Sequence, residues 1–357
     1  MDILRYLRLG ALPLLAPLLA GCYETIEPSL SSTPKLCMNA CLTAGDTLTV
    51  SLTHTWRYTD ARTFPSGVAV GDARLEVYVD GALCSTADAG DSQGNYRTDY
   101  VPRPGQTVRL VATSRRYGTA EATVSMPDEV PLLGATWTPV ITNLTSLSPN
   151  GNDLLSMVDF DLTAKLRFAD PVATANYYVL NLWYGLTGFT DDTLWAPLNV
   201  DSRLSDMPSF SIHGLNTDAE PLFSDYVSIS EKLVFGTDDD LFDHFAFTDR
   251  LIADRTYDVT LQFTRCSLTQ YSSDSTVEPP YYPVINFVLY NTSESLYKQY
   301  VWQWIYYEGL TGNMADLGLG DAVTAYSNVS TGAGVVSART ASCYQLDLRG
   351  IIARTGK

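Results

Sequence analysis

Apolar and polar residues alternate with a period of two along most of this chain, which is the pattern of β-strands with one buried face. Between residues 35 and 127, turn-forming pairs such as Asp80-Gly81 and Pro104-Gly105 separate the alternating runs. The apolar positions of these runs are Leu48, Val50 and Leu52, then Ala73, Leu75, Val77 and Val79, then Val108, Leu110 and Ala112, and then Ala120, Ala122 and Val124. Short strands at this spacing predict an Ig-like β-sandwich over residues 35–127.

Residues 128–357 predict a second, larger β-rich domain. Its clearest strand runs from Val158 to Phe168, where apolar residues alternate with polar ones until Asp170-Pro171 ends the strand. Further strands are predicted at Tyr177–Tyr184, Tyr257–Phe263 and Tyr281–Tyr290. The last two strands could pair with each other across the segment Ser272–Pro280.

The apolar period changes to that of a helix at about residues 293–309. The residues that share one helical face are Leu296, Tyr300, Val301, Trp304 and Ile305. Ser293 is suited to cap the start of this helix, and Gly309 is suited to end it. The predicted fold class is therefore mainly β, with one amphipathic helix in the second domain.

The N-terminus has the features of a bacterial lipoprotein signal peptide. A basic start is followed by an apolar run from Leu9 to Ala20, which is too short to span a bilayer. The run ends at Leu19-Ala20-Gly21-Cys22, which matches a lipobox. We therefore predict a signal peptide over residues 1–21, lipidation of Cys22 by acyl chains such as palmitate, and a tether over residues 22–34. An uncleaved anchor or an ordinary signal peptide is the alternative.

The net charge of the chain narrows the classes of partner that it can be expected to bind. The chain has 40 acidic and 23 basic residues, and its formal net charge is −17. Such an acidic body disfavours nucleic acid and anionic lipid surfaces as partners, while it keeps the body soluble beside its acyl chains. The membrane contact that the sequence predicts is therefore the N-terminal lipid alone.

Five cysteines accompany Cys22. No CxxC pair occurs among them, so they indicate neither a zinc site nor a complete disulfide framework. Cys37 and Cys41 would lie about 13 Å apart on one strand, which is too far for a disulfide. Cys266 and Cys343 could form a disulfide in an oxidising envelope, or they could be buried free thiols.

Catalytic and metal-binding motifs are absent from the sequence. The histidines His54, His213 and His244 are scattered, and there is no nucleophile elbow or phosphate-binding loop. Asp159 and Asp161 would point the same way from one strand, about 7 Å apart, which suits either two catalytic carboxylates or the solvated face of a strand.

The acidic segment Asp238-Asp239-Asp240, with Asp243 nearby, could bind calcium or form a solvated loop, although its spacing differs from that of an EF-hand. We predict no enzymatic activity, no cofactor and no metal.

The predicted helix carries more aromatic residues than one buried face needs. Trp302 and Tyr306, four positions apart, share a face that differs from the face of Tyr300 and Trp304. Exposed aromatic residues often bind protein partners or stack on sugar rings, so Trp302 and Tyr306 are candidate binding residues. The alternative is a helix that is buried on both sides between two sheets.

Short motifs occur in a fixed order along the mature chain. They are Asp72-Ala73-Arg74-Leu75, Gly94-Asn95-Tyr96, Phe168-Ala169-Asp170-Pro171, Asn176-Tyr177-Tyr178, Phe247-Thr248-Asp249-Arg250, Tyr297-Lys298-Gln299-Tyr300, and Tyr326-Ser327-Asn328-Val329 before Gly332 and Gly334. In these motifs the chain resembles the Bacteroidetes lipoprotein family catalogued as domain of unknown function 4249. The resemblance implies an envelope lipoprotein with an Ig-like domain, often encoded beside TonB-dependent transporters. It implies no catalytic residues.

These features lead us to expect an outer-membrane lipoprotein, lipid-anchored on the extracellular face, that serves a TonB-dependent transporter as an accessory or ligand-capture partner. A glycan or a peptide is the expected ligand. Glu24 and Glu27, close to the lipid, resemble a surface-export signal. Two alternatives remain open: a surface enzyme that processes glycan or peptide, with Asp159 and Asp161 as candidates, and a structural or adhesive envelope protein.

Overall fold

Strands dominate the computed structural model of the protein. It describes residues 33–56, 67–147, 154–171, 175–188, 209–216, 220–223, 227–229, 244–252, 255–272, 281–307 and 325–351. Contacts divide the chain into the units Met1–Pro34 and Lys35–Lys357. The predicted signal peptide, Cys22 and nearly all of the tether therefore lie outside the described residues.

The strands are β1 (Leu36–Thr43), β2 (Thr49–His54), β3 (Arg74–Val79), β4 (Ala82–Ala87), β5 (Asn95–Arg97), β6 (Thr107–Ser114), β7 (Gly118–Ser125), β8 (Leu132–Leu147), β9 (Leu154–Ala169), β10 (Tyr177–Gly188), β11 (Ser209–Asn216), β12 (Val227–Ile229), β13 (His244–Thr248), β14 (Thr256–Ser272), β15 (Tyr281–Thr292) and β16 (Val336–Asp347). One α-helix, α1 (Glu294–Tyr307), lies between β15 and β16, and short 3-10 turns occur at Pro221–Phe223 and Asp249–Leu251. In the described part of the chain, no helix combines the length and the apolar character that a bilayer crossing requires.

The N-terminal strands form a small two-sheet sandwich, as the alternation predicts. β4, β3, β6 and β7 make one sheet in that order, and its inner face packs on β1, β2 and β5. Leu52, Leu75 and Leu110 are fully buried between the two sheets. Asp80 and Gly81 join β3 to β4 with φ values of 49° and 86°, the positive φ values that a tight hairpin turn favours.

One mixed sheet continues from this sandwich into the rest of the body. Its strand order is β12-β13-β10-β15-β16-β1-β2-β5. β1 runs parallel to β16, with Ala40 opposite Val336, and antiparallel to β2, with Met38 opposite Leu52. The first strand after the tether is therefore held on both edges by strands from opposite ends of the chain.

The larger core lies between this mixed sheet and the sheet β11-β14-β9-β8. Phe160 and Phe263 enter the core from one sheet, and Tyr178 and Phe287 enter it from the other. All four side chains are completely buried, so the second region has a core of its own.

The predicted pairing of Tyr257–Phe263 with Tyr281–Tyr290 is wrong. β14 pairs with β9 and β11, whereas β15 pairs with β10 and β16 in the other sheet. Burial explains the separation, because β14 alternates between buried and half-buried residues, while the residues from Pro283 to Leu289 are buried without interruption. A strand without a polar face fits a sheet that is covered on both sides.

Helix α1 covers the outer face of the mixed sheet, in contact with β10, β12 and β16. Leu296 and Tyr300 pack on Val179, which faces away from the main core, while its neighbour Tyr178 faces into that core. The predicted helix is confirmed from Glu294 to Tyr307, and Gly309 lies outside the described residues. In the described residues it packs on one sheet and is not enclosed between two.

Candidate functional site

The structure describes only one of the two candidate binding residues on the helix, Trp302 and Tyr306, down to its side chain. Trp302 is half-buried, and its indole Nε1 is shielded from solvent. The side chain of Tyr306 lies outside the described residues. Their role in binding stays a prediction.

Asp159 and Asp161 lie half-buried on the polar face of β9, and both contact neighbouring strands. The amide Nδ2 of Asn143 donates to Oδ2 of Asp159 at 3.1 Å, and the backbone N–H of Arg265 donates to Oδ1 of Asp161 at 2.9 Å. Arg265 has a φ of 55° at a bulge in β14, between Phe263 and Cys266. The Asp161 carboxylate thus satisfies a backbone donor at an irregular point of the sheet.

The five cysteines of the body are free thiols. Cys266 is buried on β14, where burial and then the Asp161 charge raise its pKa to about 12. Cys343 is exposed on β16, in the opposite sheet. The structure therefore shows no Cys266–Cys343 disulfide.

The histidines and the acidic segment bring no metal site together. His54 stacks on Tyr117 with 4.5 Å between ring centroids, and the His213 carbonyl accepts a hydrogen bond from Arg265. The side chain of His244 and the segment Asp238-Asp239-Asp240 lie outside the described residues. Within the described ranges, no cluster of His, Cys, Asp and Glu is suited to hold a metal ion.

A polar cleft of about 520 Å³ lies at the start of helix α1. It is bounded by the segment Thr123–Asp128, the start of β10 at Asn176 and Tyr177, the helix start at Ser293–Ser295, and the residues Tyr326 and Asn328. No histidine or cysteine is among its described lining residues.

Hydrogen bonds fix the wall of the cleft at the start of β10. The carboxylate Oδ2 of Asp249 accepts the backbone N–H of Asn176 at 2.7 Å, and the Asn176 carbonyl accepts the N–H of Asp249 at 3.2 Å. Thr292 Oγ1 donates to the carbonyl of Tyr177 at 3.1 Å. Because these hydrogen bonds hold the main chain at both Asn176 and Tyr177, the Tyr177 side chain projects from a rigid backbone.

The opposite wall is fixed by Asn328, whose side chain mimics a neighbouring strand. Its Nδ2 donates to the Val336 carbonyl at 2.7 Å, and its Oδ1 accepts the N–H of Val336 at 2.9 Å. These two bonds tie the segment that carries Tyr326 to the first residue of β16. The cleft is therefore a built part of the fold.

The charges around the cleft favour a ligand that forms hydrogen bonds. Glu294 forms an ion pair with Lys298 at 2.9 Å, and this contact lowers the pKa of Glu294 and raises that of Lys298. Burial, and then the charge of Glu294, raises the pKa of Tyr177, and burial raises the pKa of Tyr326. Both tyrosines thus keep their hydroxyl protons at neutral pH. The hydroxyl of Tyr177 is hydrogen-bonded to the Glu294 carboxylate, whose remaining lone pairs can accept from a ligand.

The profile of the family described as Domain of unknown function (DUF4249) matches residues 23–343. The chain belongs to this family. No curated protein matches it.

Two solved structures are similar to parts of the chain. One is a membrane-anchored protein from Corynebacterium diphtheriae, with 8% identity and a TM-score of 0.18, covering 74% of this chain and 56% of its own. The other is a glycosyl hydrolase family 2 member from Bacteroides cellulosilyticus DSM 14838, with 10% identity and a TM-score of 0.19, covering 74% of this chain and 28% of its own. The chain thus spans about half of the first protein and 28% of the second. Superpositions at these scores support no inference about function.

Motifs that carry the DUF4249 resemblance meet at the cleft. Tyr177 and Tyr326 line it, Asp249 holds Asn176, and the ring of Tyr297 on helix α1 lies 5.1 Å from that of Tyr177. The helix pattern alone pointed instead to Trp302 and Tyr306, whereas Tyr177, Asp249 and Tyr326 were present only in the family motifs. Each of these residues lies in one of the short aromatic or polar motifs of the family resemblance. These motifs are far apart along the chain.

Proposed function

We propose that this protein is a lipid-anchored binding protein of the outer membrane, facing the cell exterior, that captures a ligand for a TonB-dependent transporter. The observation that carries the binding role is the cleft at the start of helix α1. Its tyrosine hydroxyls and its carboxylate stand on segments held by hydrogen bonds, so recognition needs little reordering of the chain.

The anchor supports the proposed location. The Leu19-Ala20-Gly21-Cys22 motif supplies a lipidation site, and the acidic tether supports export to the exterior face. The full chain has a net charge of −17, so the protein has no net electrostatic attraction to an anionic bilayer and its membrane attachment depends on the lipid at Cys22.

The proposed ligand is a glycan or a peptide, because both present hydroxyl or amide groups in number. Tyr326 would donate to carbonyl or hydroxyl oxygens. Glu294, held in place by its hydrogen bond with Tyr177, would accept from hydroxyl or amide hydrogens. Aromatic rings at the cleft edge would also stack on a sugar face.

Ligand capture can be tested by calorimetry with oligosaccharides and short peptides. Tyr177→Phe and Tyr326→Phe each remove one hydroxyl and keep the ring, so each is expected to weaken binding about tenfold or less, while the double variant weakens it further. Tyr344→Phe, eight residues along β16 from Val336 at the cleft wall, is the matched control and should bind as the wild type does. Equal binding by all variants would assign the ligand to another part of the body.

The anchor and the transporter can be tested in the native membrane. Cys22→Ala should move the protein to the soluble fraction and abolish its contribution to transport. Mild detergent extraction after cross-linking should recover the transporter with the wild-type protein. Failure to recover a transporter, or full function of an unlipidated form, would reject this part of the proposal.

A further inference from the structure

Exposed apolar side chains are concentrated on the hairpin formed by β8 and β9. Nine large hydrophobic residues are exposed in the described part of the chain, and five of them lie on this hairpin. They are Leu133 (53% exposed), Val140 (62%), Ile141 (39%), Leu144 (46%) and Met157 (39%). This concentration of exposed apolar side chains on one hairpin makes it a candidate interaction surface.

β8 is also an open edge of its sheet. Among the described strands it pairs with β9 alone, so it is the last strand of its sheet in that part of the chain. Exposed edges are protected by charged side chains, most often lysine, and also by proline or β-bulges. The sixteen residues of β8 contain no Asp, Glu, Lys or Arg, although 18% of the chain is charged. Pro139 and two register shifts are the irregularities of this edge.

Apolar groups border this edge on both faces of the sheet. Ile141 lies opposite the buried Phe160, so it is on the core side, whereas Val140 lies opposite Asp161, on the outer side. A lipid surface or a helix could cover these side chains, but it would remove water from the backbone groups without replacing their hydrogen bonds. An added β-strand covers the side chains and completes the hydrogen bonds.

Charge distinguishes a different protein from a second copy of this chain. Beside Val140 and Asn143 the outer face carries Asp161 and Asp159, and each chain has a net charge of −17. Lys165 and Arg167 lie on the same face nearer the start of β8. Pairing of two copies would bring like charges together, whereas a strand with basic residues would be attracted. The complementary segment is therefore apolar at its centre and carries Lys or Arg at its ends.

We propose that β8 is a docking edge that accepts an extended, apolar, basic-flanked segment of another protein as the fifth strand of the sheet β11-β14-β9-β8. This goes beyond the proposed function, because it does not depend on what the cleft binds. The transporter is one source of such a segment, and the edge can be tested without it.

The probe is the synthetic peptide Lys-Val-Thr-Val-Thr-Val-Thr-Val-Lys, added to the full mature chain carrying Cys22→Ala. It should bind, and it should slow hydrogen exchange of β8 amides. Val140→Lys should weaken its binding by about tenfold or more. Leu83→Lys is the matched control, because Leu83 is 53% exposed on β4, an edge strand of another sheet, and it should leave binding unchanged. Unfolding midpoints of both variants verify that they fold.

Two further peptides separate backbone pairing from apolar adhesion. A peptide with its central amides N-methylated cannot complete the strand hydrogen bonds and should not bind. A peptide with Glu in place of both Lys residues should bind more weakly. Equal binding of the N-methylated peptide, or equal effects of Val140→Lys and Leu83→Lys, would overturn the proposal.

The other possible occupants give distinct results. Sedimentation that reveals a dimer abolished by Val140→Lys would assign the edge to a second copy. Flotation of the Cys22→Ala chain with phosphatidylethanolamine vesicles, abolished by the same change, would assign it to lipid. If the transporter co-purifies but the peptide does not bind, the docking edge fails and the proposed function stands. If the peptide binds but no transporter co-purifies, the docking edge stands and the transporter part of the proposed function is rejected.

Discussion

Asp170 is a carboxyl group almost excluded from solvent at the end of β9. Its Oδ1 accepts the hydroxyl of Tyr178 at 2.5 Å, and its N–H donates to the Arg255 carbonyl at 2.8 Å. Burial raises the pKa of Asp170, and the bond from Tyr178 offsets part of this effect. The folded chain therefore holds this proton more tightly than the unfolded chain, for which the pKa is about 3.9. The resulting stabilisation is present below that value and is lost as pH rises through the folded pKa.

We expect Asp170→Asn to remove this pH dependence. Asn keeps an oxygen to accept the Tyr178 hydroxyl but has no charge to bury. The stability of the variant relative to wild type should therefore increase as pH rises from about 4 towards neutrality. Urea unfolding followed by tryptophan fluorescence at several pH values measures the difference. A difference that stays constant with pH would contradict the assignment.

Gly334 allows a loop to approach β1 closely. Its φ is 111°, and a Cβ at this position would overlap the carbonyl oxygen of Met38. Gly334→Ala should therefore lower the free energy of unfolding by about 2–4 kcal/mol, through backbone strain and displacement of β1. Gly45→Ala is the control that measures the backbone strain without a steric overlap. Gly45 has a φ of 88°, and no heavy atom lies within 4 Å of an added Cβ. Equal losses in thermal or urea unfolding would show that the close approach is unimportant.

At the scale of elements, Ser293 joins the start of helix α1 to β16. Its Oγ accepts the N–H of Leu296 at 3.4 Å and the N–H of Ala338 at 2.9 Å. We expect Ser293→Ala to cost about 1–2 kcal/mol, because both donors lose their acceptor. Ser293→Thr keeps the hydroxyl and should retain most of the stability. Urea unfolding of the two variants measures the difference, and equal losses would indicate a packing effect rather than the cap.

The helix start could be predicted because a cap is a local feature of sequence. The pairing of β14 and β15 could not, because it depends on which sheet each strand joins. The uninterrupted apolar run Val284-Ile285 followed by Phe287-Val288-Leu289 was the available signal that β15 is covered on both faces. The cleft depends on segments that are distant in sequence, so local patterns indicated its motifs without indicating that they meet.

At the scale of the whole molecule, β1 links the two predicted regions. It lies between β2 and β16, and Val329, Val336 and Ala338 from the C-terminal part complete the core of the N-terminal sandwich. Alternation along the strands predicted both regions but could not reveal this parallel pairing, because register between distant strands leaves no local pattern. The first strand after the tether is thereby fixed in the interior of a sheet.

We expect residues 35–127 alone to be unfolded or only marginally stable. Small domains are only marginally stable, so the loss of a few kcal/mol removes a large part of their stability. The fragment would lose three buried aliphatic side chains and one hydrogen-bonded edge of β1, together on the order of 5 kcal/mol. Circular dichroism and urea unfolding should show a weak or absent cooperative transition, compared with residues 35–357. A fusion that appends residues 325–347 through a flexible linker is the control, and it should recover cooperativity because it restores β16. A fragment that unfolds at the urea concentration of the complete body would show that the sandwich is independent of β16.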